Sequence, residues 1–263
     1  MTNGNSLKSS IARAFLMGVL AIAIAAPIGS AVSADAGGAA YPKGRYAQLN
    51  GLPDWGGIWI LNRPPPGAGP GPSAPALKGQ YLKDYEAWQK TVKDHNGDAP
   101  REGSNCLPPG FPRMMMVPQY PIEFLFTPGR VTVHHEAWMQ WRSIYTDGRK
   151  HPEDLDPTFN GDSIGKWHDG VLEVDTIGLK SLAQFGMGMK HSDKLHVMER
   201  IHLDKNSADT LVDEMTIEDP EALEKPWTTT LTWQRTRDGD LIEFVCAEND
   251  RNPVDASGHT TFQ

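Results

Sequence analysis

The apolar positions of the chain fall into two periods, and each predicts its own kind of element. Over residues 77–95, Leu77, Tyr81, Tyr85, Trp88 and Val92 recur at three- and four-residue steps, the spacing of one helical face. Asn96-Gly97 follows as a stop, since both residues tolerate the left-handed backbone that ends helices. Most of the remainder is short, alternating and β-prone: 57–61, 123–126, 131–136, 138–146, 163–167, 171–176, 195–203, 209–217, 227–235 and 241–246. Asp-Gly pairs beginning at 147, 169 and 238 sit between strand candidates, where tight hairpin turns favour them. Nine or so strands in hairpin order predict an antiparallel meander with one or two helices near the N-terminus. A meander leaves two edges to bury. Closure into a barrel is the usual solution, with a sandwich as the competing architecture. Gly57-Ile58-Trp59 on the first strand resembles the Gly-x-Trp that opens lipocalin-like barrels, which puts such a barrel first.

The N-terminus reads differently. Lys8 and Arg13 precede the twelve-residue apolar run 15–26, then Pro27 and small residues up to Ala34, with no acidic group in positions 1–34. Twelve residues fall short of the roughly 20 that span a bilayer, so the pattern predicts a cleavable export signal rather than a membrane anchor. Cleavage is expected after Ala34 or Ala36. The resulting organisation is a signal over 1–34, a lead-in over 35–54, one domain over 55–251 and a tail over 252–263. Within the domain, the Pro/Gly-dense stretch 62–76 predicts an extended loop ahead of the helix.

Losing the signal removes two basic groups and no acid, so the net charge of -8 becomes -10. That sign excludes a nucleic-acid footprint, and the scattered Lys and Arg residues form no polybasic membrane patch. The expected partner is a small apolar or aromatic molecule, or another protein. Cys106 and Cys246 lack the close-set partners of a metal site, and in an oxidising compartment a pair of this kind forms a disulfide; two free thiols are the alternative. A bridge over so long a loop stabilises a fold by about 5 kcal/mol in the chain-entropy treatment.

The candidate chemistry gathers in residues 145–165, a polar stretch too long for a hairpin turn and punctuated by Pro, Gly, Leu and Phe in a way that predicts order. The run from Tyr145-Thr-Asp-Gly-Arg-Lys-His-Pro to Gly161-Asp-Ser-Ile-Gly-Lys-Trp167 resembles a family of secreted bacterial proteins of unsettled activity. So do His191-Ser-Asp-Lys-Leu-His-Val-Met-Glu-Arg-Ile201, Glu218-Asp-Pro220 with Lys225-Pro-Trp227, Glu243-Phe-Val-Cys-Ala-Glu-Asn249, and Cys106-Leu-Pro-Pro-Gly110 with Pro112-Arg113. The resemblance covers about residues 55–251. It supports one domain over that span and implies no activity. His168 stands where the family more often has an acidic residue, which counts against it as a site residue.

Histidine, carboxylate, tyrosine and arginine together are what proton transfer requires: a base near neutral pH, a group that orients it, and a cation or hydroxyl for a developing oxyanion. His151, His191 and His196, with Asp154 or Asp156, Tyr145 and Arg142, are the catalytic candidates. Arg200, Met198, Trp141 and Trp167 are the substrate-binding ones. On the strand 195–203, His196, Met198, Arg200 and His202 share one face, and that face is expected to line the lumen, with a solvated outer face as the alternative. Arg142 is expected to point the same way as Arg200. No nucleophile elbow, phosphate loop or dinucleotide fingerprint is present. No cofactor is expected. A metal would draw on His191, His196 and Glu199, whose spacing matches no standard ligand pair, while His134 and His135 face opposite sides of a strand. Three functions fit: a cofactor-free lyase, isomerase or hydrolase; a periplasmic carrier of an apolar ligand; or a structural module with a filled lumen.

Overall fold

The computed structural model describes residues 46–63, 74–97 and 106–246. The expected export signal at 1–34, most of the expected lead-in and of the Pro/Gly loop, and the expected tail at 252–263 lie outside them. The described chain is mainly β, a closed lipocalin-like barrel of nine strands in sequential order. These are β1 (Ile58–Leu61), β2 (Ile122–Thr127), β3 (Arg130–His135), β4 (Gln140–Tyr145), β5 (Asp162–His168), β6 (Val171–Ile177), β7 (His196–Asp204), β8 (Ser207–Glu218) and β9 (Trp227–Thr236). The β2–β3, β5–β6 and β7–β8 turns lie at one end of the barrel, and the longer connections 178–195 and 219–226 at the other. One α-helix, α1 (Gly79–Asp94), follows β1. It rests against the core through Tyr81 and Tyr85. Its stop is the one expected: Asn96 and Gly97 have positive φ, and the Gly97 N–H donates back to the Val92 carbonyl at 2.8 Å. No helix among the described residues is long and apolar enough to cross a membrane.

Nine of the ten strand candidates form. The tenth, 241–246, does not, because its polar groups have other partners. The Ile242 N–H donates to Glu136 Oε2 at 3.0 Å, and Phe244 packs against Tyr120 and Trp138. The segment thus returns from the end of β9 to the far end of β3, and Cys246 bonds there to Cys106. The chain that leaves the sheet is held by the disulfide instead of by a strand ladder.

Hairpin order also breaks at one place. Only Asp169-Gly170 makes a tight two-residue turn of the three Asp-Gly pairs; both residues have positive φ, as that turn demands. Asp147-Gly148 instead opens an excursion over 146–161, and β5 returns parallel to β4. A connection of that length lets the chain double back before it pairs again, which a hairpin cannot do. Gly161 sits at the re-entry with φ 66°, and a Cβ there would stand 2.7 Å from the Ile177 carbonyl.

The barrel is filled. Trp59, Trp233, Phe124, Ile144, Leu172, Val197, Ile201, Leu211 and Met215 turn inward from the strands, and Trp55, Phe111, Met115 and Phe185 from the connecting segments join the same core. Last strand meets first at Arg235, whose guanidinium lies 4.9 Å from the centre of the Trp59 ring. It also donates to Asp209 and to the carbonyls of Asp54 and Gly56.

One buried charge cluster interrupts the apolar interior. Arg142 on β4 is fully buried, with Phe111 stacked 3.6 Å from its guanidinium carbon. It pairs both nitrogens with the Glu199 carboxylate and donates to Ser163 (3.1 Å) and Thr176 (2.9 Å). Arg142 therefore points into the barrel and not, as expected, to the side of Arg200. The reason is strand alternation: Val133, Arg142 and Ser163 belong to the inward rows, and a buried guanidinium survives there only because Glu199 comes from the opposite wall.

Asp213, the inward neighbour of Glu199 on β8, is also fully buried, and neither of its oxygens meets a donor among the described residues. Burial and the Glu199 charge push its pKa well above the usual carboxylate range, against the pull of Arg142. A raised pKa keeps the proton on Asp213 to higher pH, and in that form Arg142 faces one net negative charge rather than two. His135, buried nearby, is pushed down to about 3 by burial and by the charges of Arg142 and His134, so it stays neutral.

A carboxyl with a raised folded pKa contributes its full stability below the unfolded value of about 3.9 and loses it as pH rises through the folded value. Asp213→Asn keeps the shape and cannot ionise. Urea unfolding from pH 4 upward is expected to show the wild type losing up to about 1.4 kcal/mol per pH unit relative to the variant. Parallel pH profiles would contradict a raised Asp213 pKa.

Candidate functional site

The alternation that buries Val197, Glu199 and Ile201 turns His196, Met198, Arg200 and His202 outward. This corrects the expectation that the latter face lines the lumen. The correction has a physical cause: the inward places are taken by large apolar side chains and by the charge that neutralises Arg142.

The outward residues line up in rows across β4 to β9. One row runs Tyr145, Ile164, Asp175, Met198, Thr216 and Thr228 from β4 to β9. The next, nearer the turn end, runs Lys166, Glu173, Arg200, Glu214 and Thr230. The row on the other side carries Asp162, Ile177, His196 and Glu218. Over the first two rows the saddle of the sheet forms a groove of about 700 Å³, rimmed by Gly148 and Arg149.

At the margin of this groove four titratable side chains form a chain. His151, carried over the sheet by the 146–161 excursion, places Nδ1 2.6 Å from Asp162 Oδ1 and Nε2 2.9 Å from Asp175 Oδ1. The other oxygen of Asp175 is 3.0 Å from His196 Nε2. Glu218 lies 4.0 Å beyond, from His196 Nδ1. A single carboxylate thus joins two histidines from a loop and a strand. Burial works to raise the Asp175 pKa, but hydrogen bonds from both rings and their charges outweigh it, and the net shift is downward. Asp175 is therefore an anion that orients both imidazoles. The His151 side chain is 17% exposed and that of His196 is 31%. Both nitrogens of His151 are engaged, whereas Nδ1 of His196 has only the more distant Glu218.

The other expected residues distribute as follows. Tyr145 joins the outward row, with the Arg149 guanidinium 3.8 Å from its ring centre. Met198 and Arg200 form part of the groove floor, and Arg200 is paired with Glu173 and with Glu214. Asp154 and Asp156 are exposed, and the carboxylates that meet His151 are Asp162 and Asp175 instead. His191 is buried elsewhere, its two ring nitrogens facing the carbonyls of Ser192 and Lys180. Trp141 is 59% exposed and stacks on His134, away from the groove. Trp167 packs on Trp55 and Phe126 at the turn end, beside a second cavity of about 420 Å³.

His191, His196 and Glu199 lie in three separate environments, so they cannot share an ion. Among the described residues no three His, Cys, Asp or Glu side chains are grouped to hold one. Asp175 itself was missed by sequence reading. Its signal was present in the outward half of the alternating strand 171–176, in the row next to Met198. Comparison with known proteins finds no matching family model and no curated relative.

Proposed function

We propose that this protein is an exported, cofactor-independent acid–base enzyme, a lyase, isomerase or hydrolase, acting on a small molecule held in the outer groove. The observation that carries this reading is Asp175 bridging His151 and His196 at the groove margin. A carboxylate that fixes a histidine's tautomer and balances its charge is the usual support for proton transfer. His196 is the residue that exchanges a proton with the substrate, because it is the more exposed ring and keeps Nδ1 the less committed. His151 positions Asp175, and Tyr145 and Arg149 stand at the same rim to meet developing negative charge. Arg142, buried inside the barrel, takes no part.

Activity on candidate substrates can be followed by product detection in His196→Ala and His151→Ala. General acid–base catalysis contributes about 10²–10⁴-fold, so His196→Ala is expected to lower kcat/KM by that order. His151→Ala is expected to cost less and to alter the pH profile. Undiminished turnover in both variants would reject the assignment.

Export is supported by the pattern over residues 1–34 and by the Cys106–Cys246 disulfide, which suits an oxidising compartment. N-terminal sequencing of the protein from its native host is expected to begin at Asp35 or Gly37. An intact Met1 would contradict it. A carrier without catalysis is the second reading, favoured by the cavity at the turn end with its walls of Phe126, Val131 and Trp167.

A further inference from the structure

The excursion over 146–161 crosses the outer sheet with no helix or strand of its own, and it is fastened unevenly. Its two ends are tied through the backbone. The Thr146 N–H donates to the Gly129 carbonyl at 2.8 Å, the Thr158 N–H to that of Gly178 at 3.0 Å, and the Lys180 N–H to that of Thr158 at 2.8 Å. Between these ties, residues 147–157 are exposed except for His151 and Leu155. Leu155 only touches the turn at Gly178, where a Cβ would stand 3.4 Å from its side chain. Arg149 bonds to Asp147 within the excursion and covers Tyr145, the last residue of β4. Among the described residues, the hydrogen bonds from 147–157 to the sheet are those of His151.

The chemistry of those bonds is specific. One ring nitrogen faces Asp162 of β5 at 2.6 Å and the other faces Asp175 of β6 at 2.9 Å. An ionised carboxylate accepts and never donates, so both contacts are hydrogen bonds only while both ring nitrogens carry hydrogen. A neutral imidazole satisfies one carboxylate and turns a lone pair towards the other. Beyond Asp175 stand His196 of β7 and Glu218 of β8. Within the excursion, Lys150, Glu153, Asp154 and Asp156 are exposed.

We propose that residues 147–157 form a pH-sensitive strap at the groove margin, locked to β5 and β6 while His151 is an imidazolium between Asp162 and Asp175, and released when the ring loses a proton. Release frees Gly148 and Arg149, which rim the groove, and takes one of its two rings from Asp175. Access to the groove and the setting of His196 therefore change together. The lock is lost upward in pH, as the ring gives up a proton, and downward, as the carboxylates take protons up. For Asp175 that lower limit lies below the ordinary carboxylate range. As regulation of the proposed site the strap rests on the acid–base reading, whereas the lock itself is measurable without turnover.

The test is NMR of the isotopically labelled, disulfide-intact protein, titrated from about pH 5 to about pH 9, the range that brackets histidine ionisation. At the lower end His151 is expected to show two protonated ring nitrogens, with backbone order parameters of about 0.85 over 149–156. As the ring loses a proton, those order parameters are expected to fall below about 0.6 with the same midpoint, while Thr146 and Thr158 stay rigid. His151→Gln, which cannot become a cation, is expected to show the released values at every pH. One bare ring nitrogen on His151 throughout with an ordered strap would overturn the proposal, as would strap motion that ignores pH or a transition that survives in His151→Gln. The acid–base reading fails separately, by undiminished turnover in the histidine variants, so the two failures are distinguishable.

Discussion

The period of two along a β-strand is the constraint from which the rest of this structure follows. In a nine-stranded barrel whose interior is filled by side chains, every strand residue is committed either to the packed inside or to the outer surface. On β7 the inside receives Val197, Glu199 and Ile201, and the outside receives His196, Met198 and Arg200. A one-residue slip would exchange the two sets, exposing the apolar rows and burying an unpaired arginine. The position of the histidine pair, the groove beside it and the seclusion of Arg142 are consequences of that single choice.

The inside is not simply oily, and its polar members explain why the choice is unique. Arg142 needs Glu199 opposite it, and losing one partner of such a pair costs about 3–5 kcal/mol. Ser163 and Thr176 complete the guanidinium's bonds, and Phe111 covers its face. Asp213 adds a second acid that is tolerable only with its proton on. Together these groups tie β4, β5, β6, β7 and β8 into one register, the same strands whose outer faces carry the candidate site. Interior charge pairing and exterior site geometry are two sides of one sheet.

How far the sequence reveals this depends on the scale of the interaction. The helix and nine strands were legible because each rests on local periodicity, and the disulfide because two cysteines without close-set ligand partners have few alternatives. The run 241–246 reads as a strand because its apolar content is real, but that content serves packing by Phe244 and a bond to Glu136 instead of a ladder. His151 and His196 stood out by residue type, and alternation separated the two faces of β7. Which face was inner could not be read, because His196 and Arg200 on one side are set against Glu199 on the other, and polarity alone does not decide. Their common partner Asp175 was invisible for a different reason. It belongs to a third segment, and only the β5–β6–β7 register brings it between a loop histidine and a strand histidine.

The site and the core both depend on the sorting of β7 and β8 into an inward and an outward face, and two methionines report it. Met198 lies in the outer groove, while Met215, across from Glu199, is 1% exposed. Brief treatment of the native protein with dilute hydrogen peroxide, followed by peptide mass spectrometry, measures their access directly. Oxidation of Met198 with Met215 protected, and slower Met198 oxidation once the groove is filled by a ligand, is the predicted result. Rapid oxidation of Met215 with Met198 protected would place the groove residues inside the barrel and contradict the account.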